Sequence, residues 1–360
     1  MTSMANLTPK DSAAACLQGL TLSNGWKVKG HVRRSKHATG GTFSHSYVVE
    51  KNSHKGFLKA FDFSHAFEIG SDTISILKAL TSAYEHERDV LQIFKDRRLS
   101  QVVIAIEHGS VQVPAIQGMD GRVFYLIFEM ADGDVRGQVD GTKRFDTLWS
   151  MRALKDVCLG LRQVHKQMIA HQYMKPSNVL VYKEEKAFRI ADFGRSSRKG
   201  YDIWHDEIPV AGDMNYSPPE LLYGYIHSEF ASRRFGCDLY MLGNLAAFMF
   251  AGVNVTASLF ARLDPQFHYD QWHGSYEQVI PYLVDAFTLV LEDLAEQLDP
   301  AVRAEIVPLV YQLSNPDLSL RGHPRGLGRA NQYSLERYVS QLDLLCKKLE
   351  IRLRTNRMVV

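Results

Sequence analysis

Short apolar runs open the chain and long helical periodicities close it. Trp26–Val28, Ser46–Val49 and Phe57–Phe61 are aromatic or β-branched stretches set between Gly- and Ser-containing turns, which predicts an antiparallel sheet. From Ser75 to Phe94 the apolar positions Ile76, Leu77, Leu80, Ala83, Tyr84, Val90, Leu91 and Phe94 recur at about 3.6 residues with charges between them, which predicts an amphipathic helix. Two further strands are expected at Val102–Ile106 and Val123–Phe128. Beyond Asp132-Gly133 the patterns lengthen into helices, clearest over Leu148–Lys166, so a lobe boundary falls near residue 132. Leu242–Phe260 carries no charge over nineteen positions. Asn244, Gly252, Asn254, Thr256 and Ser258 would be costly in lipid, so this run is expected to be one helix buried in a globular lobe. Tyr333–Arg354 reads as an amphipathic helix ending in the basic residues Arg352, Arg354 and Arg357, either docked on the preceding lobe or offered to a partner. The expected divisions are an N-terminal extension over 1–25, a first lobe over 26–131, a second over 132–332 and a terminal helix with its tail over 333–360.

Composition narrows the function classes. With 45% hydrophobic and 23% charged residues, the 360-residue chain is neither disordered nor fibrous. A net charge of +2 is too mild for electrostatic capture of nucleic acid or an anionic membrane, and neither partner is expected. Cys16, Cys158, Cys237 and Cys346 are widely spaced without a C-x-x-C pair, and buried free thiols in a reducing compartment are expected. Met1–Leu20 has one basic residue and no continuous apolar core, so a secretory signal is not expected and a cytoplasmic location is.

The chemistry lies in an ordered series: Phe57-Leu58-Lys59, Glu87, His171 to Asn178, Asp192-Phe193-Gly194 and Pro218-Pro219-Glu220. Any one of these motifs arises by chance; their order and separations do not. The series resembles the eukaryotic-type (Hanks-type) serine/threonine protein kinases over roughly residues 26 to 345. The fold this implies is α+β and bilobal, with an antiparallel sheet and one helix in the first lobe and a larger, mainly helical second lobe. The compact chain suggests a bacterial or viral member.

Phosphoryl transfer needs cations on the phosphate oxygens and a rigid grip that holds attack in line. The resemblance implies ATP and magnesium as cofactors and a protein as substrate or partner. It assigns Lys59 to the α- and β-phosphates, Glu87 to pairing with Lys59, Lys175 to the transferred group, and Asn178 and Asp192 to magnesium, which hard oxygen ligands suit. Taken singly, Lys59 and Glu87 read as a surface lysine and an exposed helix carboxylate. Phe128, Glu129, Met130 and Ala131 resemble the gatekeeper and hinge that hold adenine, with Leu180 as the floor of that pocket. His171, Phe193 and Leu91 resemble the internal hydrophobic spine, and Gly194 completes the Asp-Phe-Gly motif. Asp238 resembles the aspartate that holds the catalytic loop's backbone, and Arg321 the arginine paired with Glu220. Lys175-Pro176 resembles serine/threonine rather than tyrosine kinases, and with Pro218-Pro219-Glu220 it resembles protein kinases rather than small-molecule kinases.

The departures are specific. In His171-Gln172-Tyr173-Met174-Lys175-Pro176-Ser177-Asn178, Tyr173 stands where the family has its catalytic aspartate. A phenol with an ordinary pKa of about 10 is neutral at pH 7 and does not take a proton as a carboxylate does. Loss of a general base typically costs about 10²- to 10⁴-fold in rate. Asp213 is a candidate partner for Lys175. Gln172 replaces the arginine that binds a phosphorylated activation segment in many members, so activation by that route is not expected. The phosphate loop, Thr39 to Ser46, retains only the family's second glycine and its phenylalanine, with backbone amides around Gly40 and Gly41 left to reach phosphates with less freedom than three glycines permit. In the adenine roof, Ser46 and Phe57 replace the family's usual valine and alanine, with Phe57 either stacking on the base or filling its pocket. Two readings of Tyr173 stay open: an inactivated form of an active kinase, favoured because Lys59, Glu87, Lys175, Asn178 and Asp192 persist, or a natural pseudokinase that binds nucleotide or acts as a scaffold.

Overall fold

The computed structural model describes residues 12–32, 44–64, 73–140, 146–184, 186–208, 210 and 212–358. They form two compact units, one of residues up to 98 with Val103–Ala131, the other of Leu99–Val102 with the chain from Asp132 onward. The α+β class is as expected, with the sheet in the N-terminal unit and most helices in the C-terminal one.

In the N-terminal unit, β1 (Lys27–His31), β2 (Ser44–Lys51), β3 (His54–Phe61), β4 (Ala105–Gln112) and β5 (Arg122–Glu129) form one antiparallel sheet in the order β1-β2-β3-β5-β4. The β2–β3 turn is two residues, Asn52 and Ser53, with φ of 49° and 66°. Two positive φ values make a type I′ turn, whose twist matches that of the flanking strands. Along β3, Gly56, Leu58 and Ala60 face the core while Phe57, Lys59 and Phe61 share the other face. The helix α1 (Thr73–Asp96) buries Tyr84, Val90, Leu91 and Phe94. Described residues before β1 also enter this core. Ala13, Ala14, Leu17 and Leu22 pack with Trp26, Val28 and Tyr47, and the Tyr47 hydroxyl donates to the Ala14 carbonyl at 2.7 Å.

The C-terminal unit holds β6 (Gly133–Asp134), α2 (Val135–Asp140), α3 (Thr147–His165), β7 (Ile169–Ala170), β8 (Val179–Tyr182), β9 (Ala187–Ile190), β10 (Ser197–Arg198), α4 (Pro219–Leu222), α5 (Gly236–Ala251), α6 (Val255–Arg262), α7 (Tyr276–Gln297), α8 (Pro300–Leu313) and α9 (Glu336–Met358). The strands make two small sheets, β6-β8-β9 and β7-β10.

Two expectations are corrected. The strand expected over Val102–Ile106 is divided: β4 starts at Ala105, while Val102 bridges Ile190 in parallel and the Gln101 carbonyl accepts from the Ile190 amide at 3.0 Å. Gly160 of α3 permits this approach, since a Cβ there would lie 2.6 Å from that carbonyl oxygen. The charge-free run expected as one helix is two, α5 and α6, with the helical stretches on either side of the break bent by 93°. Gly252 ends α5 at φ 71°, the left-handed cap glycine favours. The Asn254 side chain caps α6, and the buried Asn244 side chain accepts from the Val255 amide at 2.8 Å. Asn244, Gly252 and Asn254, which argued against lipid, thus make the turn. Among the described residues no single helix is long and apolar enough to cross a membrane.

The helix α9 docks on α3, burying Leu335, Tyr338, Leu342, Leu345 and Leu349 at its interface side. Arg152 pairs with Glu350 at 2.6 Å and Arg162 with Glu336 at 2.8 Å. Arg352 and Arg354 are exposed. All four cysteines are free; Cys158, Cys237 and Cys346 are buried, and burial pushes the Cys346 thiol up to about 11.

Candidate active site

In the N-terminal unit the site residues converge by strand and helix periodicity. Lys59 projects from the face of β3 opposite the core, and Glu87 lies in the buried stripe of α1, three residues after Tyr84 and three before Val90. The Lys59 ammonium donates to both Glu87 oxygens at 2.9 Å, with the carboxylate side chain only 3% exposed. A carboxylate in an apolar stripe is sustained only by such a partner. This overturns the single-residue reading of two separate surface charges. The Lys59 ammonium also lies 5.4 Å above the Phe61 ring. Phe57, on the same face, pairs in register with Phe128 of β5, their rings 6.3 Å apart. Phe128 is buried, Glu129 is exposed, and Met130 and Ala131 follow half-buried. Gly40 and Gly41 lie outside the described residues.

In the C-terminal unit one buried carboxylate organises the loop that holds Tyr173. Asp238, at the start of α5, accepts from the backbone amides of His171 at 2.7 Å and Gln172 at 2.8 Å. His165 of α3 is 2.8 Å from the same carboxylate and stacks on Phe235. Burial opposes ionisation of Asp238, but the His165 hydrogen bond, the two histidines and the Gln172 amide outweigh it and hold the carboxyl below its usual range. His171 accepts at Nδ1 from the Tyr173 amide at 3.1 Å and reaches the Ala191 carbonyl from Nε2 at 3.0 Å. That pattern fits the neutral imidazole with its proton on Nε2, and burial pushes the His171 pKa down against the pull of Asp238. Its ring meets Phe193 edge-on at 4.8 Å.

Tyr173 is half-buried, and its hydroxyl accepts from the Lys175 ammonium at 2.8 Å. That ammonium lies 4.3 Å from the Tyr173 ring centroid and 3.3 Å from an Asp213 carboxylate oxygen, so the expected Lys175–Asp213 contact forms. Gly212 sits against the loop: a Cβ there would fall 2.8 Å from the Gln172 carbonyl oxygen and 2.9 Å from the Tyr173 ring. The Asn178 amide donates to the Tyr173 carbonyl at 2.7 Å, which leaves its Oδ1 as the ligand-capable atom. The Ala191 amide donates to the Asn178 carbonyl at 2.8 Å, so Asp192 follows directly beside Asn178. Asp192 has φ 66°, a left-handed conformation uncommon outside glycine but more accessible to aspartate than to most residues, and Phe193–Arg195, including Gly194, continues as a short 3₁₀ turn. An amide oxygen and a carboxylate from adjoining backbone are a donor set that suits magnesium. Leu180 is the half-exposed position of β8 between the buried Val179 and Val181.

The Glu220 carboxylate receives both Arg321 guanidinium nitrogens, at 2.5 and 2.8 Å, and Arg321 also donates to the carbonyls of Asn315 and Gly236. Both residues are buried. Sequence reasoning missed His165 and Arg234; their signal was weak, a histidine six residues before His171 and an arginine four residues before Asp238.

The chain is similar to known protein kinases. The protein kinase domain family matches residues 78–259, just over half of the chain. Calcium-dependent protein kinase 4 of Plasmodium berghei (strain Anka) is 27% identical over 138 residues, covering 37% of this chain and 24% of that protein. Aurora/IPL1-related protein kinase 2 of Caenorhabditis briggsae is 28% identical over 133 residues, 35% of this chain and 39% of the relative. Aurora kinase B of Mus musculus is 24% identical over 163 residues, 43% of each. The chain therefore spans between 24% and 43% of the length of these relatives.

Proposed function

This chain belongs to the protein kinase domain family, and from that premise we propose that it is a serine/threonine protein kinase-type phosphotransferase, acting on protein with ATP and magnesium and impaired at the acceptor step by Tyr173. The observation that carries the reading is the formed Lys59–Glu87 pair, a buried carboxylate that fixes the direction of a strand lysine. Lys59 is positioned to neutralise phosphate oxygens, and Asn178 with Asp192 would hold magnesium. Magnesium, when bound, supplies charge neutralisation on the phosphates. Lys175 would meet the transferred group, but here its ammonium is engaged by the Tyr173 hydroxyl and the Asp213 carboxylate. The missing element is a carboxylate to take the acceptor hydroxyl's proton, and Tyr173 does not supply it.

A second reading, a pseudokinase that binds nucleotide or a partner without transfer, is favoured by the fit of Tyr173. Its hydroxyl finds Lys175, and its ring lies where Gly212 leaves room. Replacing Tyr173 by aspartate separates the two. The kinase reading expects Tyr173→Asp to raise Mg-ATP-dependent autophosphorylation by about 10²-fold or more. No gain, together with thermal stabilisation by Mg-ATP that grows with ligand concentration, selects the nucleotide-binding pseudokinase.

A further inference from the structure

The C-terminal unit contains a further ion pair, Asp206 with Arg234, that the catalytic reading does not use. Asp206 lies in the short turn Trp204–Glu207. Its carboxylate accepts from Arg234 at 2.6 Å and from the Ser197 hydroxyl at 2.5 Å. Its backbone carbonyl accepts from Arg233, and from Arg234 at 3.3 Å. One residue of the segment is thus gripped through both its carboxylate and its carbonyl.

The other end of Arg234 reaches the loop that carries Tyr173. Arg234 is 3% exposed, and its second guanidinium nitrogen donates to the Gln172 side-chain oxygen at 3.1 Å. The Gln172 side-chain amide donates back to the Arg234 carbonyl at 2.9 Å and to Asp238 at 3.2 Å. Gln172 itself holds φ 63°, an unusual backbone state that its buried amide group helps to fix. Arg233 and Arg234 lie in a π-helical turn, Ala231–Phe235, immediately before α5. Neighbouring residues of a regular α-helix point about 100° apart, and the wider turn is the local irregularity at which both arginines reach Asp206. A guanidinium this buried is stable only when its donors are met. Here Asp206 and Gln172 meet them from two different parts of the chain.

We propose that Asp206 and Arg234 are positioning residues: a carboxylate fixed in the sequence ties the segment Asp192–Glu220 to Gln172, and so sets the loop bearing position 173 without phosphorylation of the segment. The proposal rests on the phosphotransferase reading for its consequence, but not for its geometry. In the resemblance given above, an arginine at position 172 would receive a phosphate from the segment. In this chain the cation has moved to residue 234, the anion is the permanent charge of Asp206, and the neutral Gln172 relays the contact.

The test uses the full chain with Asp206→Asn, which keeps volume and hydrogen-bonding capacity but removes the charge, and Arg234→Lys, which keeps the charge but not the fork. Hydrogen exchange is read at residues 196–208 and at 170–178. Each variant is expected to speed exchange in both stretches by about tenfold or more, the factor that loss of a buried charge-assisted hydrogen bond carries. Faster exchange at 196–208 alone would overturn the proposal, since a merely local pair predicts that outcome. If Arg234→Lys loses protection in α7 and α8 as well, it has unfolded, and Asp206→Asn carries the test. Activity is read separately in a Tyr173→Asp chain treated with phosphatase. Asp206→Asn is expected to lower kcat about tenfold with KM for ATP within twofold, and phosphatase to change nothing. Activity abolished by phosphatase would overturn the proposal. An inert Tyr173→Asp chain would count against the phosphotransferase reading alone, because hydrogen exchange needs no turnover.

Discussion

The Lys59–Glu87 pair shows how a single side chain is both a functional group and a stability liability. Glu87 is 2% exposed, so the ammonium beside it sustains its charge. Lys59→Met is expected to cost about 3 kcal/mol in urea denaturation, because it strands a buried carboxylate. Lys59→Met with Glu87→Leu should recover to within about 1 kcal/mol of the parent, since an apolar pair carries no desolvation penalty. Neither variant should be stabilised by Mg-ATP. A double variant as weak as the single would mean that packing, not charge, sets the cost. These two residues were legible in the sequence because each sits at a fixed place in a local period, Lys59 on a strand and Glu87 on a helical stripe. Arg234 and Gln172 were not. They stand 62 positions apart, and nothing in either local pattern brings them together. Tyr173 was legible as a departure, but its hydrogen bond to Lys175 follows from a loop whose course Asp238 dictates.

At the level of elements, the break between α5 and α6 separates what hydropathy encodes from what it does not. The charge-free run announced burial correctly, and α5 is buried along nearly its whole length. The position of the bend was hidden because it depends on side chains bonding to backbone after the chain has turned back. Asn244 is the clearest case: fully buried, it accepts from the Val255 amide at 2.8 Å and donates to the Thr256 hydroxyl at 3.1 Å. Asn244→Leu improves helix propensity and hydrophobicity, yet should destabilise by about 2 kcal/mol, the cost of leaving a buried amide without its acceptor. Gly252→Ala should cost about 1 kcal/mol through its left-handed backbone alone. Chemical denaturation of the two variants checks the order. An Asn244→Leu chain as stable as the parent would show that the bend is set elsewhere.

For the whole molecule, the sequence placed the change from sheet to helices near residue 132, but not the transfer of Leu99–Val102 to the C-terminal unit, which rests on a backbone contact with β9 and a glycine in α3. That unit also gives the stability of the chain part of its pH dependence. Burial first, against the pull of Asp238, lowers the His171 pKa below its ordinary value of about 6.5. Below that pH the unfolded chain binds a proton at His171 that the folded chain refuses, so stability rises with pH across the window and falls as pH drops from 6.5 toward the folded value. The hydrogen bonds explain the refusal: a proton on Nδ1 would face the Tyr173 amide hydrogen that Nδ1 now accepts. Asp238 behaves oppositely in charge but alike in sign. Its folded pKa is depressed, so its contribution is present above the ordinary carboxylate value and is lost only in stronger acid, below about 4. Two steps are therefore expected, the first as pH falls below about 6.5 and the second below about 4. His323, also lowered by burial and by Arg337 and Arg325, adds to the first step. His171→Gln should flatten that step by at most about 1.4 kcal/mol per pH unit, the limit for one proton, while leaving the His323 share. Urea titrations at pH 7, 6 and 5 on the parent and variant decide the matter: equal slopes would mean that His171 does not resist protonation in the folded chain, and the buried loop would then owe its acid sensitivity to Asp238 alone.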